Sequence, residues 1–208
     1  MINTLYTKSA ILFGAISLAG GATGQDITTM EREQALRYLA ETRTGVIEAV
    51  KGLSEAQFNF KPAPDRWSGA ECLEHIAIVE NQVLSGVRVR LEKAPAPSAD
   101  RDVQRVDAMV LSTVPDRSTK VQAPPQLVPP GHTTPAASLE RFLASREQTV
   151  NWLKSDSDLR GHSVDHPVLG PLDGYEWILA IAGHSERHTK QILEVKADPN
   201  FPANRTTE

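Results

Sequence analysis

Cysteine is almost absent: Cys72 stands alone among 208 residues. No internal disulfide can form, so a stapled small-domain scaffold is excluded and stability must come from a packed core. Positive charge is not in excess either, with 22 Lys and Arg against 26 Asp and Glu and a formal net charge of −4. That balance argues against a nucleic-acid binder or a membrane-surface binder. Glycine and proline are too sparse for a collagen-like repeat, at 13 and 14 residues. A chain that is 40% hydrophobic and 23% charged is not built like a wholly disordered one. Long hydrophobic runs are also lacking, the longest being Ala10 to Gly20, too short to span a bilayer comfortably. What remains is one soluble globular domain, long enough to bury a core.

The short apolar run has another reading. Lys8 precedes it as the only charge of the first 24 residues, and Ala22-Thr23-Gly24 places small residues where a signal peptidase requires them. Residues 1–24 are therefore expected to be a secretory signal peptide, and the protein to be exported, periplasmic or secreted. No Cys follows the cleavage point, so lipid attachment is not expected and no stable membrane anchor remains after cleavage. In an oxidising compartment, the unpaired Cys72 is most simply a buried small hydrophobe.

Beyond residue 24 the apolar pattern repeats near every 3.6 residues, and no segment alternates cleanly as a strand does. A first stripe runs through Leu36, Leu39, Ala40, Val46, Ile47 and Val50 and stops near Gly52. Ser68-Gly69-Ala70-Glu71 has the form of a capping box, in which hydroxyl and carboxylate satisfy free N–H groups of the first turn. From that start Cys72, His75, Ile76, Val79, Val83 and Val87 share one face. The proline-rich stretch 94–134 reads as a long crossover with a short helix around 102–114. Thr134-Pro135 opens a third helix, whose stripe of Leu139, Phe142, Leu143, Val150 and Leu153 is interrupted by Arg146. Asp173-Gly174-Tyr175-Glu176 caps a fourth, with Trp177, Ile181, His184, His188, Gln191, Ile192 and Val195 on its face. The expected fold is all-α: a four-helix bundle, up-down-down-up, with the crossover joining helices two and three. The domain is expected over 25–198, and residues 199–208 are expected to be a frayed tail.

Three of the six histidines fall on core-facing stripes: His75 on the second helix, His184 and His188 on the fourth. The i, i+4 pair stacks two imidazoles on one helix face, close enough for a single cation to bridge them. His75 lies about 10 Å past its cap, while His188 and His184 lie roughly 12 and 18 Å from the far end of their helix. In an antiparallel pair those levels nearly coincide. Each imidazole inside an apolar bundle needs a partner for its ring nitrogens, and one metal ion would serve all three. The arrangement is not that of a zincin, because Ser185 rather than a glutamate follows the first histidine.

These residues carry a resemblance. Phe60-Lys61-Pro62-Ala63-Pro64-Asp65-Arg66-Trp67-Ser68 leading to Glu71 and His75 resembles the DinB-like family of metal-binding four-helix bundles. So do the loop His166-Pro167-Val168-Leu169-Gly170 and the run from Trp177 through His184-Ser185-Glu186-Arg187-His188-Thr189-Lys190-Gln191-Ile192. The resemblance covers nearly all of the chain after residue 24, least in the crossover. It implies a divalent ion (zinc, nickel, iron or manganese) held by His75, His184 and His188. Some family members are thiol S-transferases and others metal-dependent hydrolases. Export sets this chain apart from the cytosolic members and from their thiol pools.

Three neutral imidazoles leave coordination positions open, as in a catalytic rather than a closed structural site. The expected activity is metal-dependent hydrolysis of a small substrate, with water activated by the ion as the nucleophile. Thiol S-transfer and ion or ligand binding without turnover are the alternatives. Around the ligands, Gln191 could hydrogen-bond a bound ligand, orient an imidazole or simply be solvated on the helix surface, Arg146 could meet an anionic substrate or reach solvent, and His166 could line the pocket mouth. Cys72, one turn before His75, reads as an inert buried thiol with a lesser claim on the site. Trp67 and Trp177 read as packing residues. A small-molecule partner is expected and a nucleic acid is not; pairing with a second copy of the chain stays open.

Overall fold

The structure, a computed structural model, describes residues 26–203. The expected signal peptide lies outside the described residues. Among those residues, no helix is long and apolar enough to cross a membrane.

Helix α1 (Thr29–Val50) begins at a capping box in which Thr28 and Glu31 satisfy each other's backbone N–H groups. It ends just before Gly52, whose φ of +70° turns the chain at little steric cost. A single turn, α2 (Glu55–Phe58), leads to α3 (Gly69–Gln82), which starts at the expected Ser68–Glu71 box. The helix continues through a π turn (Val83–Val87) into α4 (Arg88–Leu91). Within the crossover, α5 (Val103–Thr113) and a 3₁₀ turn at Pro125–Leu127 are the ordered pieces. Helix α6 (Pro135–Ser155) has Thr134 as its cap and proline in its first turn, where the missing N–H costs nothing. Helix α7 (Gly174–Lys196) starts at the Asp173–Glu176 box.

The four long rods are α1, α3 with its continuation α4, α6 and α7. Arg32 near the start of α1 reaches the Leu153 carbonyl near the end of α6, and Arg146 reaches the Leu39 carbonyl, so these two rods are antiparallel. Tyr175 donates to the Glu31 carbonyl and Lys196 to the Ala49 carbonyl, so α1 and α7 are parallel. Glu74 accepts from Gly131 and Thr133 just ahead of α6, and Glu80 meets Arg146 and Thr149 further on, making α3 and α6 parallel. The order is up, down, down, up, as expected. Each rod packs mainly against two others, α1 between α6 and α7 and α3 between the same pair, so α1 stands diagonally from α3 and α6 from α7.

Two departures stand out. The all-α expectation missed a hairpin, β1 (Ser163–His166) paired antiparallel with β2 (Gly170–Asp173), Val164 opposite Leu172. Its strands are four residues each, too short to display an alternation, and each puts one apolar side chain on the core, Leu172 and the partly buried Val164. The expected fraying from residue 199 does not hold through Pro202. Phe201 packs edge-on against Phe60 at 5.6 Å, and the Pro202 carbonyl accepts from Gln57 Nε2 at 2.8 Å.

The core has two apolar regions. One gathers Leu39, Trp152, Leu153, Tyr175, Ile178 and Leu179; the other gathers Val46, Cys72, Leu73, Ile76, Phe142 and Ile192. A buried polar layer joins the rods as well, built from Arg146, Glu80, Thr42, Thr149 and Ser185.

Candidate metal centre

The seam between α3 and α7 brings His75, His184 and His188 together. Each offers one ring nitrogen, and the three nitrogens lie within 4.8 Å of one another. Ring centroids are 4.9 Å apart for His75 and His184, 4.6 Å for His75 and His188, and 4.5 Å for His184 and His188. Levels explain the meeting. The Ser68 cap fixes where α3 begins, and the Asp173 cap does the same for α7 running the other way.

Hydrogen bonds settle which nitrogens are free. His75 Nδ1 is 2.7 Å from the Leu127 carbonyl, which can only accept, so Nδ1 carries the proton and Nε2 keeps its lone pair. His188 Nδ1 is 2.9 Å from Gln191 Oε1. That oxygen also receives a hydrogen bond from the Arg117 guanidinium at 3.1 Å, which identifies it as the amide oxygen; His188 Nδ1 therefore donates and Nε2 is free. His184 Nε2 lies 3.1 Å from His75 Nε2. Two nitrogens each about 2.0–2.1 Å from a shared ion stand roughly 3 Å apart, so this spacing suits ligands of one cation.

The electrostatics favour lone-pair donors. Desolvation pushes the His75 protonation equilibrium down, against the pull of the Leu127 carbonyl. Desolvation again, then repulsion from His188 and His75, holds His184 well below the ordinary imidazole range. His188 is depressed by desolvation first and by His75 next. Neutral imidazoles are what a divalent ion requires, and the donor set fits it. His75 and His188 are 3% and 7% exposed, and His184 is the least enclosed of the three. Trp67 closes one side, its ring 4.7 Å from that of His75 and 5.9 Å from that of His188.

A family profile described as the DinB superfamily matches residues 27–192. The chain belongs to the DinB superfamily. This DinB protein is 28% identical over 159 residues to Uncharacterized protein YuaE of Bacillus subtilis (strain 168), a match covering 75% of this chain and 93% of that one. Its fold is also similar to a solved structure described as "YfiT from Bacillus subtilis is a probable metal-dependent hydrolase with an unusual four-helix bundle topology". The TM-score is 0.56 at 14% identity, over 83% of this chain and 89% of that chain. At that identity the likeness speaks for the fold.

The other residues singled out from the sequence part company with the triad, apart from Gln191 and Trp67. Gln191 stands against the outer nitrogen of His188. Arg146 neither meets solvent nor faces the triad: it is 1% exposed and locked to Glu80 in the polar layer. Cys72 turns into the second apolar region, where burial pushes its thiol up to about 12, leaving it unionised. His166 sits at the end of β1 with its ring 5.0 Å from that of Trp177, outside the triad; its Nδ1 accepts from Val168 and Leu169 in its own turn. Burial pushes its protonation equilibrium down as well. Sequence reasoning missed the Leu127 carbonyl and Arg117. A backbone oxygen has no sequence signature, and an arginine in a proline-rich crossover looks like any surface charge.

Proposed function

We propose that this DinB protein is an exported metal-dependent hydrolase of a small substrate, with a divalent ion held by His75, His184 and His188. One observation carries the reading. Three neutral imidazoles from two antiparallel rods converge within 4.8 Å, and hydrogen bonds at the far nitrogens of two of them aim lone pairs at a common point. The description of YfiT as a probable metal-dependent hydrolase agrees with it.

Three protein ligands leave room for a substrate, as a closed structural site does not. A divalent ion in the triad supplies Lewis acidity, polarising the group to be attacked and lowering the pKa of a nucleophile beside it. The chain's own residues hold and orient. Leu127 and Gln191 fix two ring tautomers, and Trp67 packs against the rings of His75 and His188 on one side of the centre. Export through residues 1–24 completes the reading, and the N-terminal sequence of the protein recovered from the periplasm or medium checks it.

Metal analysis of protein purified without a histidine tag, followed by ester, amide and thiol-transfer screens, tests the function. We expect one divalent ion per chain and hydrolysis that is lost on chelation and restored by the ion. In His188→Ala we expect turnover to be abolished while the helical circular dichroism is kept. Turnover only with thiols would replace hydrolysis by thiol transfer. A stoichiometric ion with no turnover would leave a binding protein.

A further inference from the structure

The long crossover does more than connect α3 with α6. From its start after α5 it is tied to α7: Lys190 donates to the Pro115 carbonyl, Arg187 to the carbonyls of Asp116 and Thr119, and Arg117 reaches Gln191 and Glu194. Towards its end it is tied to α3, with the Leu127 carbonyl on His75 and the backbone N–H groups of Gly131 and Thr133 on Glu74 at 2.8 and 3.2 Å. It therefore crosses the seam that holds the triad, reaching the outer nitrogen of His75 directly and that of His188 through Gln191. His75 is held by the Leu127 carbonyl directly. His188 is held through Gln191, whose oxygen is itself fixed by Arg117, and Arg117 is set in place by a two-pronged contact with Glu194 at 2.7 Å for each prong.

We propose that this crossover is a clamp on the metal centre and that Arg117 is a positioning residue for His188, so that docking of residues 115–133 and occupancy of the triad strengthen each other. The inference rests on the metal reading above. Its physical basis is that a ligating imidazole binds more tightly when its second nitrogen is held, and loss of such a partner typically costs 10–100-fold in affinity. Because one outer partner belongs to this segment and the other, Gln191 of α7, is fixed by the segment's Arg117, whatever undocks the segment weakens both ligands at once, and linkage requires the ion to favour docking by the same factor.

Simple electrostatics predicts the opposite sign. Arg117 and Arg187 are cations near the site, and removing either would by Coulomb attraction alone make a dication bind more tightly.

The experiment is a zinc titration of the full chain against a competing chromophoric chelator, with Arg117→Ala and Arg187→Ala alongside. Arg187 holds the crossover without touching a ligand or a ligand's hydrogen-bond partner, and so separates the segment's role from that of Gln191 alone. We expect 10–100-fold weaker zinc binding in Arg117→Ala, weaker binding also in Arg187→Ala, and helical circular dichroism as in the parent. Zinc should also slow amide exchange across residues 115–133 of the parent. Unchanged or tighter zinc binding in either variant would overturn the clamp, as would exchange in the crossover indifferent to zinc. No zinc binding by the parent would instead overturn the metal reading itself.

Discussion

Arg146 interrupts an apolar stripe, and in sequence it has the look of a side chain that escapes to water or waits for an anion. Its burial has a different cause. All five guanidinium donors are used within the protein: Nε and one Nη2 donor on Glu80 at 2.6 and 3.0 Å, Nη1 on the Leu39 carbonyl and Thr42, and the remaining Nη2 donor on Ser185. Burial pushes the Glu80 carboxyl up and Arg146 pulls it back down, a bargain that works only while both are present. The partner Glu80 lies 66 positions away, too far for any local pattern to announce it. Arg146→Met should leave a buried carboxylate without its cation and lose about 3–5 kcal/mol, read by urea unfolding. Adding Glu80→Leu should recover much of that loss, since an apolar pair of similar volume needs no counter-charge. A single variant as stable as the parent would show the layer to be dispensable. The three histidines were legible for the contrasting reason that two sit at i, i+4 on one helix and the third follows a recognisable cap.

At the scale of the element, what the sequence showed clearly was where helices start. Ser68–Glu71, Thr134-Pro135 and Asp173–Glu176 are local signals whose hydrogen bonds close within four residues, and all three caps form. The hairpin escaped notice because its strands are four residues long and one of them is anchored by Asp173, which also caps α7. The Ser68 cap allows a direct check. Its hydroxyl accepts from the Glu71 N–H at 3.2 Å, and the Glu71 carboxylate receives the Ser68 N–H at 2.7 Å. Ser68→Ala should lower stability by about 1 kcal/mol. His75 lies nearly two turns further on, held by the Leu127 carbonyl, so zinc affinity should be unchanged within twofold. A large loss of zinc binding would mean that the cap, and not the crossover, sets the position of His75.

The whole molecule is tied at one end by a knot of charge that no local pattern reveals. Glu31 of α1, Asp107 of α5, Asp173 at the end of β2 and Glu176 of α7 surround Arg160, while Arg101 from the crossover also reaches Asp173 and Glu176. Four carboxylates face two guanidinium groups, so full ionisation leaves an excess of negative charge in a buried place. Glu176 is fully buried, and its Oε1 has no hydrogen-bond partner among the described residues. Desolvation, with Asp173 adding repulsion, raises its carboxyl to about 7 against the pull of Arg101. The sign of the consequence follows from linkage. Between the ordinary glutamate range and pH 7 the folded protein keeps a proton that the unfolded chain has released, so rising pH works against folding across that window, by at most ~1.4 kcal/mol per pH unit. Above the folded value both states are ionised and the effect is constant. Glu176→Gln cannot ionise, so the variant should gain on the parent as pH rises from about 5 to 7 and hold a level difference from 7 to 9. Groups far from the knot cancel in the difference between the two urea-unfolding free energies, which therefore reads the knot. A difference that stays flat from pH 5 upwards would mean that Arg101 and Arg160 neutralise Glu176 completely, and that the knot carries its charge without a retained proton.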